Sequence, residues 1–96
     1  MYICTLYTTD HADADYIPAV TIAKGDTLDE LVGGIRGELE ESFGTDPDGR
    51  VVGVTDQYGT KIEDDIEAVC RAFLAGTYCI VVEFIGYRDV YTVQVI

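Results

Sequence analysis

Basic residues are scarce. The 96-residue chain has six Lys and Arg against eighteen Asp and Glu, a formal net charge of -12 at pH 7. Nucleic acid is held by clustered Lys and Arg that neutralise phosphates. The deficit therefore argues against direct nucleic-acid binding, and against docking on anionic membrane surfaces. Serine occurs once, as Ser42, and histidine once, as His11. No Ser or Cys motif resembles an activated nucleophile, so the chain reads as a non-enzyme with no catalytic residues and no cofactor. The three cysteines, Cys4, Cys70 and Cys79, are widely spaced. That spacing excludes a zinc ribbon or a close redox pair. Each sits in an apolar run, where a free thiol behaves as a small hydrophobe. No apolar stretch reaches the length of a membrane span, and no basic start with an apolar run marks a signal peptide. A reducing, cytoplasmic setting is the expectation. With two prolines and no repeat or low-complexity tract, residues 1–96 read as one domain.

The remaining composition is that of a folded protein: 48% hydrophobic and 25% charged. Tyr2 to Thr8 and Ile17 to Ala23 are rich in β-branched and aromatic residues and predict strands joined as a hairpin. Pro18 suits an edge strand. Thr27 with Glu30 fits a capping box. Leu28, Leu31, Val32, Ile35, Leu39 and Phe43 follow at helical spacing, and Gly44 predicts the helix end. Gly33, Gly34 and Gly37 inside this helix each cost roughly 0.8–1 kcal/mol relative to Ala. Close packing on the sheet is the expected compensation. They do not form a dinucleotide fingerprint, which belongs in the turn after a strand.

Asp46-Pro47-Asp48-Gly49 predicts a turn. Arg50 to Thr55 predicts a strand and Asp56 to Gly59 a turn, with Thr60 to Ile62 pairing back as a small hairpin. Thr60 and Glu63 suggest a second capping box. The helix stripe is Ile62, Ile66, Val69, Cys70, Phe73 and Leu74, closed by Gly76. Tyr78 to Ile85 reads as an apolar, central strand. Gly86 to Asp89 reads as a turn, and Val90 to Ile96 as the last strand. The expected fold is α+β in the order β-β-α-β-α-β-β. Its sheet is mixed or mainly antiparallel, with two helices packed on one face.

Two Asp-rich stretches invite a metal reading: Asp10, His11, Asp13 and Asp15, and the pair Asp46 and Asp48. Neither has the spacing of an EF-hand loop. Turn-forming Asp in a solvated loop explains both, and no metal site is expected.

The carboxylates on the helices are more distinctive. Asp29, Glu30, Glu38, Glu40 and Glu41 fall on the first predicted helix, and Glu63, Asp64, Asp65 and Glu67 on the second. Neighbours three or four apart lie about 5–6 Å from one another, comparable to phosphates along a DNA strand. Acidic residues at a helix start are also favoured by the macrodipole, which by itself accounts for Glu63 and Asp64. Like charges at these spacings destabilise each helix by roughly 0.2–0.5 kcal/mol per pair, and Lys24 and Lys61 are the only lysines. The expectation is a binding protein that acts on a basic or nucleic-acid-binding protein complex. Glu38, Glu41, Glu63, Asp64 and Glu67 would form its contact face, with Tyr58 and Tyr87 in turns as aromatic anchors. In size and charge the chain resembles the small acidic proteins of phages and mobile elements that block CRISPR or restriction systems. That resemblance implies a DNA-mimicking inhibitor. The alternative is an assembly module that forms a homodimer or larger oligomer through an edge strand.

Overall fold

Alternating apolar and polar residues make the strands, and the helical stripes make two helices laid over them. The computed structural model describes residues 1–10, 16–45 and 51–96. The expected turn at 46–49 and the loop residues His11, Asp13 and Asp15 lie outside the described residues. In chain order the elements are β1 (Tyr2–Asp10), β2 (Tyr16–Gly25), α1 (Leu28–Thr45) and β3 (Val51–Asp56). They continue with β4 (Lys61–Ile62), α2 (Ile66–Leu74), β5 (Cys79–Phe84) and β6 (Tyr87–Val95). The fold is α+β, as the residue pattern predicts. The two-residue β4 supplies the small hairpin expected after the Asp56 turn.

The sheet order is β2-β1-β6-β5-β3-β4, and every pairing is antiparallel. The terminal hairpins β1–β2 and β5–β6 form as expected. β6 also pairs with β1 over nine residues, from Tyr2↔Val95 to Asp10↔Tyr87. β5, the apolar strand expected to be central, lies inside the sheet between β6 and β3. β2 is outermost, and its register with β1 shifts between Leu6 and Thr8. Pro18 falls at this irregularity, where its missing N–H breaks no ladder.

Both helices cover one face. Leu31, Ile35 and Leu39 from α1 meet Val69, Cys70 and Phe73 from α2. Below them lie Cys4, Val54, Ile80, Val82, Phe84 and Tyr91 of the sheet. Burying each large apolar side chain contributes about 1.5–3 kcal/mol.

Several element boundaries differ from the sequence expectation. α1 continues to Thr45, one residue past Gly44. α2 starts at Ile66 with Asp65 as its cap, whose carboxylate accepts from Ala68 N–H at 2.7 Å. The Thr60–Glu63 box does not form, because Thr60 N–H is taken at 2.9 Å by Asp56 Oδ1. The last turn is only Ile85 and Gly86, so β6 begins at Tyr87 rather than Val90. Gly86 makes that tightness affordable with φ of +90°. Leu74 closes α2 half-exposed, rotated about 100° from inward-facing Phe73.

Candidate functional site

α1 has two unlike faces. Its N-terminus is held by Thr27, whose Oγ1 accepts Glu30 N–H at 3.2 Å. Glu30 reaches back to accept Asp26 N–H at 3.2 Å, one residue earlier than a standard box. Opposite the buried stripe, Asp29, Glu30, Gly33, Gly37, Glu40 and Glu41 are exposed. At about 100° per residue, Gly33 and Gly37 form a bare strip. Asp29 and Glu40 lie on one flank of it, Glu30 and Glu41 on the other.

The glycines Gly33, Gly34 and Gly37 are therefore not equivalent. A Cβ on Gly34 would lie 2.9 Å from the Ala23 side chain, so Gly34 lets α1 settle on β2. A Cβ on Gly33 or Gly37 would meet nothing within 4 Å. The expectation of close sheet packing holds for Gly34 and fails for the other two.

Glu38 and Glu41 lie three residues apart, but in different surroundings. Glu41 is exposed, whereas Glu38 is half-buried at the margin facing the sheet. Burial, then Glu41 and Asp89, raise the Glu38 carboxyl above its ordinary range. Glu67 is exposed and held by both guanidinium nitrogens of Arg36 from α1, one of the two contacts measuring 3.2 Å. That hydrogen bonding keeps Glu67 below the ordinary carboxylate range. The bridge ties the acidic flank of α1 to the start of α2.

Glu63 and Asp64 do not lie on α2. They occupy the loop between β4 and α2, exposed. There they rim an open groove of about 240 Å³ that also involves Val52, Gly53, Lys61 and Ile62. Val52 is the extra residue where the β3–β5 register shifts, which turns it outward to 65% exposure.

The two tyrosines diverge. Tyr58 is 79% exposed at the tip of a turn set by Asp56, whose Oδ1 accepts Tyr58 N–H at 2.9 Å. Tyr87 does not sit in a turn. It opens β6, half-buried, and stacks on Phe84 with centroids 4.7 Å apart. The hairpin turn is shorter than expected, which draws Tyr87 into the ladder.

A polar cluster under α1 was not foreseen. Asp89 was expected in a turn, yet it is only 6% exposed on β6. Thr8 Oγ1 donates to its Oδ1 at 2.7 Å. Burial raises the Asp89 carboxyl, and the Thr8 bond offsets part of that rise. Nearby, Tyr91 is fully buried and its hydroxyl lacks a partner with hydrogen-bonding geometry. Burial raises its pKa, against the effect of neighbouring Ser42, with Asp89 and Glu38 adding to the rise. Burial likewise pushes the Cys4 thiol up to about 12, so it stays neutral. The signal for Asp89 lay in the alternation of Tyr91 and Val93. Carried back by twos, it places Asp89 and Tyr87 on the same inward face.

Among the described residues, Arg36 pairs with Glu67 and Arg88 with Glu83, the latter at 3.4 Å across the β5–β6 ladder. No group of three His, Cys, Asp or Glu among the described residues is arranged to hold a metal ion. No helix among them is long and apolar enough to cross a membrane. Comparison with protein-family models, curated proteins and solved structures finds no match to this chain.

Proposed function

We propose that this is a non-enzymatic acidic binding protein. Its carboxylate surface on α1 and the β4–α2 loop docks on a basic, nucleic-acid-handling protein complex and blocks it as a nucleic-acid mimic, in the manner of anti-CRISPR or anti-restriction inhibitors. The observation that carries this reading is the run of exposed carboxylates, namely Asp29, Glu40, Glu41, Glu63 and Asp64. Lys24 and Lys61 lie on the sheet strands rather than on α1. The bare strip of Gly33 and Gly37 supports it further. Each glycine costs about 0.8–1 kcal/mol in a helix interior, and no close neighbour requires it, since an added Cβ would meet nothing within 4 Å. Departures from local folding rules without a packing gain concentrate at functional surfaces. Exposed Tyr58 supplies a rigid aromatic contact with a polar tip.

The test is binding to a panel of nucleic-acid-binding complexes at low and high ionic strength. Charge complementarity acts chiefly on association rate and is screened by salt. Association should slow steeply as salt rises, and the double variant Glu41→Lys, Glu63→Lys should bind more slowly with a flatter salt dependence. Binding indifferent to salt would sink the proposal. Light scattering on the protein alone separates the other reading. A stable oligomer at every ionic strength would favour edge-strand assembly through β2 instead.

A further inference from the structure

β4 ends early. It pairs with β3 only at Val54↔Ile62 and Thr55↔Lys61. The same register carried onward would set Glu63 against Gly53 and Asp64 against Val52. Instead the chain leaves the sheet at Glu63, and Asp65 caps α2. The groove rimmed by Glu63 and Asp64 is the gap this departure opens. β3 runs back past the gap to Val51, paired on its other side with β5. On the β4 side, Val51, Val52 and Gly53 have no strand partner among the described residues. Val52 has none on the β5 side either. An unpaired stretch of sheet edge is a template for another chain.

Gly53 is not required by the fold. Its φ lies outside the left-handed region, so the register shift beside it does not need a glycine. A Cβ there would meet nothing within 4 Å, so no neighbour demands a glycine either. Glycine weakens a strand interior, and without a steric reason it marks a place where another backbone or a ligand comes close. Gly53 lines the groove. The rest of the lining selects the occupant. Val52, Val54 and Ile62 are apolar, and Glu63 and Asp64 are exposed carboxylates. Lys61 is the one cation among the described lining residues, and it is ion-paired with neither of them.

We propose that this groove is a slot for an extended, basic segment of a partner protein, which adds to β3 ahead of β4. The backbone of the segment pairs along the open edge from Val51 to Gly53, and the missing side chain of Gly53 leaves room for it. Its Lys or Arg side chains reach Glu63 and Asp64, with their methylene stems on Val52 and Ile62. The partner is basic, so the slot rests on the function proposed above; the backbone pairing goes beyond it.

The experiment is an NMR titration of the backbone amides with three probes: a blocked peptide alternating Lys and Val, one of equal length alternating Lys and Pro, and spermine. Proline keeps the charge but removes backbone donors, and spermine has charge without a backbone. The Lys-Val peptide should shift the amides of Val52, Gly53 and Ile62 to Asp64. It should bind about tenfold tighter than the other two probes, the worth of one or two net hydrogen bonds. Gly53→Leu fills the groove without meeting a neighbour at its Cβ and should abolish that binding. Equal binding of all three probes, shifts confined to α1, no binding at all, or wild-type affinity in Gly53→Leu overturns the proposal. So do concentration-dependent shifts at Val52 and Gly53 without peptide, which would make the occupant a second copy of this chain. Should Gly53→Leu not fold, the double variant Glu63→Gln, Asp64→Asn decides, and unchanged affinity for the Lys-Val peptide overturns the slot. The broader acidic surface is judged separately. Salt-dependent association of Gly53→Leu with nucleic-acid-binding complexes at the wild-type rate spares that surface when the slot fails.

Discussion

The chain runs through the same ββα succession twice, and the two units are built differently. The first consists of β1, β2 and the 18-residue α1; the second consists of β3, β4 and the 9-residue α2. The β5–β6 hairpin then inserts between them, β6 against β1 and β5 against β3. In the second unit three boundaries have a local device. Asp56 shapes the turn, Asp65 caps α2, and Gly76 ends it with φ of +102°. Gly76 N–H bonds Phe73 O and Thr77 N–H bonds Ala72 O, both at 3.0 Å, a Schellman closure. The first unit has a cap at Thr27 but carries four glycines in its helix and two register shifts in its hairpin. Its order comes from distant contacts, notably Gly34 on Ala23 and the Arg36–Glu67 bridge. A short element can be written in local chemistry, whereas a long glycine-bearing helix depends on what it is laid against.

Substitutions can break or sharpen this contrast. The largest effect is expected at Gly34→Ala. The added methyl must displace Ala23 or lift α1, and the loss should be about 1–3 kcal/mol by urea denaturation. A neutral or stabilising result would mean that α1 is not closely fitted to β2. Next comes Asp65→Ala, which removes the acceptor for Ala68 N–H and should cost about 1 kcal/mol. A cost above that of Gly34→Ala would reverse the ranking of local and long-range order. The smallest effects are gains. Gly33→Ala and Gly37→Ala should each stabilise by about 0.5–1 kcal/mol, since the new methyl meets nothing. Slower partner binding by these more stable variants would tie the bare strip to recognition.

The elements were largely legible in the sequence because their signals are periodic. The stripe from Leu28 to Phe43 and the run from Val69 to Phe73 predict both helices, and their residues line the core. Errors fell where two local signals compete within a few residues. Thr60 and Glu63 have the spacing of a capping box, but Asp56 claims the Thr60 N–H first and Asp65 is better placed as a cap. Gly86-Tyr87-Arg88-Asp89 is polar enough to read as a turn, yet Gly86 turns the chain with Ile85 alone. The ladder then continues through Tyr87 to Asp89.

The candidate surface was legible as composition but not as geometry. Glu38, Glu41 and Glu67 share helices in the sequence. Their environments differ because one is half-buried, one faces solvent and one faces Arg36.

By itself the sequence determined the acidic excess, the α+β class, the two terminal hairpins and the apolar stripes. These depend on composition, on periods of two and 3.6, and on short loops whose closure is cheap. Only the tertiary structure decided that β6 pairs with β1 and β5 with β3, since those partners are distant in the chain and no local signal selects among them. That one choice places Asp89 opposite Thr8 beneath α1 and draws Tyr87 onto Phe84. It takes one carboxylate, Asp89, out of the solvated coat and buries it against the Thr8 hydroxyl.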